Sequence, residues 1–162
     1  MRKRGARFNR SSALVGIAKL IHRGRAAARA EALSRTSTQE EQHLLIIPAR
    51  TSFAALRAGK ATIQDLHNVS AFMNVGLVAA TDMGESAAAG AIQEGIIHLC
   101  KVKDRGGPTY AMSAEQRRAI AEAVRLTDDV FCCATILELD AAHRKVLRHV
   151  GGGDLNLVSV PA

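Results

Sequence analysis

The chain has 162 residues, enough for one ordinary domain and too few for two, and its 48% apolar content is rich in alanine with only 3% aromatics, which points to closely packed helices and away from an aromatic-rich β-sandwich. No uninterrupted apolar run approaches the roughly 18 residues of a membrane span, and three cysteines, two of them adjacent, make no disulfide framework, so the pattern predicts a soluble protein of a reducing, cytoplasmic setting. The formal net charge of +7 is unevenly placed: residues 1–35 hold ten Lys/Arg against one acidic residue, and residues 36–162 hold twelve against fourteen.

The basic excess therefore belongs to an N-terminal arm, residues 1–35. Arg2, Lys3, Arg4, Arg7 and Arg10, separated by Gly5 and Asn9, read as a flexible basic tip. Ser11 or Ser12 then caps a helix to about Leu33, in which Leu14, Ile17, Leu20 and Ile21 come first and Arg23, Arg25 and Arg29 follow. Such a helix docks at one end and presents charge at the other. Targeting is an alternative reading of the same segment, because it is Arg-, Ser- and Ala-rich and free of acid through Ala30, as mitochondrial presequences are. A Sec signal fits less well, since Lys19 interrupts the apolar stretch that begins at Ala13.

Ser34 to Thr38 is polar and reads as a linker into a helical domain over residues 36–150. Thr38 to Glu41 has the capping-box pattern, yet Pro48 cuts the apolar run that follows, so residues 39–47 read as a short extended piece or a broken helix. Pro48 itself suits the first position of a helix carrying Phe53, Ala55 and Leu56 inward and ending at Gly59. Thr62 and Asp65 start the next helix, where Ile63, Leu66, Val69, Met73, Leu77 and Ala80 form a stripe at three- and four-residue steps.

Thr81, Asp82 and Gly84 signal a break, after which a helix continues over residues 85–102. Its small residues Ala87, Ala91 and Gly95 allow close approach of another helix, within the chain or across a dimer, and self-association through that face is the expectation. Lys103 to Pro108 reads as a loop, and Ser113 to Gln116 as the cap of a helix burying Ile120, Val124, Thr127 and Phe131. Thr135 to Glu138 offers a further cap, leaving one long helix or two with a break near Cys132-Cys133-Ala134. The glycine triplet at 151–153 ends helical structure, and residues 151–162 read as a flexible or short extended tail. The expected fold is all-α, a single bundle of four to five helices with a flexible basic arm.

No constellation announces a reaction. Six histidines show no His-Glu-x-x-His spacing, and His98, Cys100, Cys132 and Cys133 are the one conceivable metal-ligand set, read instead as ordinary histidine and buried, small apolar thiols. Nothing local to Cys132 supplies the base or depressed pKa of a thiol nucleophile. The neighbours Asp128 and Asp129 point about 100° apart on a helix and read as solvated side chains, not a proton-sharing pair. Arg105-Gly106-Gly107 and the glycine triplet lack the strand and the Gly-Lys-Ser/Thr of a phosphate loop. Neither an enzyme nor a cofactor is expected.

Ala55-Leu56-Arg57-Ala58-Gly59-Lys60-Ala61-Thr62-x-x-Asp65, then Asn74-Val75, then Ser113-Ala114-Glu115-Gln116 ahead of a charged helix, carry a resemblance over roughly residues 44–148. The chain resembles a group of uncharacterised short helical proteins encoded by phages and integrated elements of proteobacteria, which often begin with an Arg/Lys-rich tip like Met1-Arg2-Lys3-Arg4. It departs from them in the Ala/Arg-rich stretch near residues 11–34 and in Cys132-Cys133. The resemblance implies an accessory or host-interaction role and supplies no catalytic residue. Spaced arginines on a flexible tip follow a phosphate backbone by charge alone, so the expected partner is nucleic acid bound without sequence specificity, through Arg2, Lys3, Arg4, Arg7, Arg10, Arg23, Arg25 and Arg29. The alternative is a protein partner, for example a host or defence complex inhibited by the helical core.

Overall fold

A computed structural model describes Arg29, residues 31–32, 34–36, 38–107 and 109–150, the side chains of residues 39–45 and of Val150 excepted. Over the described residues from Gln39 onward, five helices follow one another: α1 (Gln39–Arg57), α2 (Ile63–Asp82), α3 (Ser86–Arg105), α4 (Ala114–Cys133) and α5 (Ile136–Val150). The described residues contain no strand, only an isolated antiparallel bridge between Thr36 and Thr135. The fold is an all-α bundle.

Helix α2 is its axis. It touches all four other helices, and every residue from Phe72 to Ala80 is buried, the mark of a helix surrounded on all sides rather than docked by one face. Ile63, at its first turn, is 44% exposed and falls outside the buried stripe expected of it. Ile63 is the first residue of α2, and the buried run begins one turn later, at Leu66. Asn74, buried among apolar residues, stays satisfied by donating to the Ser70 carbonyl at 2.9 Å.

Pro48 does not open a helix; it sits inside α1. Its missing N–H leaves the Leu44 carbonyl without its intrahelical donor, at a cost of about 3 kcal/mol in a helix interior. Ile46, Phe53 and Leu56 are buried on both sides of it, while Pro48 faces outward. Burial of three large apolar side chains is worth roughly 1.5–3 kcal/mol each, so packing outweighs local preference. Gly59 closes α1 with φ +65°, and the Lys60 and Gly59 amides donate to the carbonyls of Ala55 and Leu56, a Schellman ending that requires the left-handed residue.

The α3–α4 pair forms the most extensive helix interface. A Cβ built on Gly95 would lie 2.2 Å from the Ala123 Cβ, so this glycine allows the two helices to approach within the chain. Gly90 meets nothing within 4 Å, and Ala87 is exposed. Helix α3 runs one turn beyond its expected end, to Arg105, whose guanidinium donates to Gln116 Oε1 at 2.9 Å and to the Ala111 carbonyl at 3.2 Å. The last turn of α3 is thereby pinned to the start of α4.

Ser113 and Gln116 cap α4 reciprocally, Gln116 N donating to Ser113 Oγ and Ser113 N to Gln116 Oε1. Gln116 is buried and serves both Ser113 and Arg105. Ser113→Ala is therefore expected to cost about 1 kcal/mol, and Gln116→Leu about 2 kcal/mol, because it strips two donors of their acceptor; urea unfolding of the two variants should give that order. Helices α4 and α5 are separate, with Ala134 extended between them and Thr135 capping α5 by accepting from Glu138 N. Helix α5 buries Leu139, Ala142 and Val146 and packs on α2, where Lys145 pairs with Asp82.

Candidate nucleic-acid interface

Of the eight cations expected to contact phosphate, Arg2, Lys3, Arg4, Arg7, Arg10, Arg23 and Arg25 lie outside the described residues, and Arg29 is exposed. The root of the arm has a defined position. Ile136 N donates to the Arg35 carbonyl at 3.0 Å, beside the Thr36–Thr135 bridge, so the arm leaves the bundle at the α4–α5 connection.

Elsewhere the bundle pairs several of its own charges. Arg125 pairs with Glu122 at 2.6 Å and with Asp129 at 2.7 Å, Lys145 with Asp82 at 2.6 Å, and Arg144 with Asp140. The Arg125 contact holds the Glu122 carboxyl below its ordinary range. Arg50 Nε and Nη2 both donate to Asp128 Oδ2, at 2.8 and 2.5 Å. Asp128 is thus not the solvated side chain expected from sequence: it is buried, and its Oδ1 has no hydrogen-bond partner. Burial pushes its carboxyl up, against the opposing pull of Arg50. The periodicity error is simple, since Asp128 lies one position from Thr127 and four from Val124, on the packed side of α4.

The opposite end of the bundle is charged differently. The turn between α3 and α4 brings Lys101, Lys103 and Arg105 to the same end as Arg117 and Arg118, all exposed. Among the described residues Lys101, Lys103, Arg117 and Arg118 have no carboxylate within ion-pair distance. Sequence reading missed this group because the residues come in separate pairs on two helices. The signal available was the pairing of a Lys/Arg-rich helix end with a Gly-Gly turn and an Arg-Arg helix start.

The thiols and His98 do not assemble a reactive centre. Burial raises the Cys100 and Cys132 thiols above their ordinary range, the opposite of what a thiolate nucleophile needs. Cys132 and Cys133 are exposed and Cys100 half-buried, so the adjacent pair is not buried as the sequence suggests, and none of the three is in a disulfide. His98 is buried, with Nδ1 lacking a hydrogen-bond partner and Nε2 4.0 Å from Glu94 Oε1. Among the described residues no three His, Cys, Asp or Glu side chains gather as a metal site would require. The large exposed apolar residues Ile47, Ile63, Ile97, Leu137 and Leu147 are spread over four helices, and no described helix is long and apolar enough to cross a membrane. No protein-family model, curated protein or solved structure matches the chain.

Proposed function

We propose that this is a non-catalytic accessory protein that binds nucleic acid without sequence specificity through its basic N-terminal arm. The observation that carries the reading is charge segregation: ten Lys/Arg against one acidic residue over residues 1–35, attached to a bundle in which Arg125, Arg144 and Lys145 are paired with its own carboxylates. Cations with so few acidic neighbours along the chain release condensed counterions from the phosphates they meet, and this release drives binding irrespective of base sequence. The resemblance to phage and integrated-element proteins suits such a role in the upkeep of a mobile element.

The test is fluorescence anisotropy of the full chain with labelled duplex and single-stranded DNA across a salt series. Log K should fall linearly with log salt, by about 0.9 per duplex phosphate neutralised. A full-length variant with Arg2, Lys3, Arg4, Arg7, Arg10, Arg23, Arg25 and Arg29 changed to Ser should lose at least about 100-fold in affinity at about 50 mM salt, with a correspondingly flatter slope. Equal binding by the variant, or no binding by the native chain at that salt, rules the reading out.

A further inference from the structure

The exposed cations at the α3–α4 turn form a surface that ion pairing does not explain and helix stability explains only in part. Lys103 and Arg105 occupy the last turn of α3, where positive charge complements the helix dipole. Arg117 and Arg118 do not share that reason. They lie in the opening turns of α4, directly after Ala114, Glu115 and Gln116, at the positive end of the dipole where a cation is disfavoured. The only exposed acids on these two helix ends are Asp104 and Glu115.

The neighbouring turn adds to the patch. Helix α2 runs antiparallel to α3 across a short connection and alongside α4 in the same direction, its Gly76 backing onto Thr127. The α1–α2 turn therefore lies at the same end as the α3–α4 turn, and brings exposed Arg57 and Lys60 with it. The acid of that turn, Asp65, is occupied by the Thr62 amide and hydroxyl at 2.7 and 2.8 Å. Positive charge at this end is thus in excess, carried on backbone that is helical or in the Lys60 turn.

We infer that this end of the bundle is a second phosphate-contacting surface, which docks the backbone of duplex nucleic acid through Lys101, Lys103, Arg117 and Arg118. The inference rests on the nucleic-acid reading above and extends it from the arm to the bundle. The arm root at Arg35–Thr36 and this surface sit at opposite ends of α4, a helix of 20 residues and so about 30 Å long. The two contacts are therefore separable by substitution.

The experiment compares four full-length chains on one labelled duplex of random sequence across a salt series: native, the eight-Ser arm variant, a Lys101→Gln/Lys103→Gln/Arg117→Gln/Arg118→Gln variant, and an Asp104→Asn/Glu115→Gln variant. The four-Gln chain should bind at least about tenfold more weakly at about 50 mM salt, with a slope shallower by about 3.6, and the chain lacking the two acids should bind more tightly than native. Circular dichroism checks that all four retain native helix content. If the arm variant loses binding while the four-Gln chain matches the native affinity and slope, the second surface is wrong and the arm reading stands. A four-Gln chain weakened with an unchanged slope also overturns the inference, because phosphate contacts would then not be what was lost. If the native chain does not bind, both fall.

Discussion

Gly95→Ala should cost about 2 kcal/mol of folding stability, and Ala123→Gly in the same chain should return most of it. The added Cβ would stand 2.2 Å from Ala123 Cβ and 3.1 Å from the Ala119 carbonyl oxygen. Both obstacles belong to the α4 backbone or its first side-chain atom, so no rotamer change relieves the overlap and the helices must move apart. Overpacking of this kind costs about 1–3 kcal/mol and sometimes more, against roughly 1 kcal/mol gained when alanine replaces glycine inside a helix. Because the crowding disturbs the largest helix interface of the bundle, the upper part of that range applies. Gly90→Ala supplies the control: its Cβ would meet nothing within 4 Å, so the same change five residues earlier should stabilise by about 0.5–1 kcal/mol. Urea midpoints of the four chains in the Gly95/Ala123 cycle give the coupling directly. A Gly95→Ala chain as stable as native, or one that Ala123→Gly fails to rescue, would show that α3 and α4 do not meet at this point.

How far the sequence led depends on which forces it records. Caps are local chemistry, and Thr62 with Asp65, Ser113 with Gln116 and Thr135 with Glu138 all form where the spacing foretold them. The buried set Ile120, Val124, Thr127 and Phe131 was legible for the same reason, periodicity on one helix. Pro48 lies inside α1 against its local preference for a first helical position, which is real and loses only to the burial of Ile46, Phe53 and Leu56, a tertiary effect. The role of Gly95 was open between an internal and an external neighbour, and only the position of Ala123 decides it.

The candidate site divides in the same way. Arm charge is a property of composition and was plain at once, whereas the cations at the α3–α4 turn become one group only when α3 is seen to continue to Arg105 and the turn to fold back. Charge balance elsewhere was equally hidden: Arg50 and Asp128 are 78 positions apart and meet across the α1–α4 contact.

That pair carries the other large effect. Arg50→Ala should cost about 2 kcal/mol near neutral pH and progressively less on acidification. Removing one partner of a buried pair costs about 3–5 kcal/mol when both are fully buried. Here the Arg50 side chain is 59% exposed and Asp128 13%, so part of that interaction is screened by water and the lower figure follows. The sign of the pH dependence comes from Asp128. Its folded pKa is raised by burial, so the folded state holds the proton more tightly than the unfolded chain; stability from this group is highest below the ordinary carboxylate pKa and falls as pH rises through the raised value. Without Arg50 nothing offsets the desolvation, the folded value rises further, and the penalty is greatest where the carboxylate must stay ionised. Asp128→Asn added to Arg50→Ala removes that ionisation and should recover much of the loss at about pH 7 while changing little at about pH 4.5. The asymmetry between the partners follows from exposure: Asp128→Asn alone should be milder than Arg50→Ala, because the freed guanidinium can hydrate and a stranded carboxylate cannot. A loss from Arg50→Ala that stays constant between those two pH values would mean that the cost is packing of the arginine stem, with Asp128 indifferent to its neighbour.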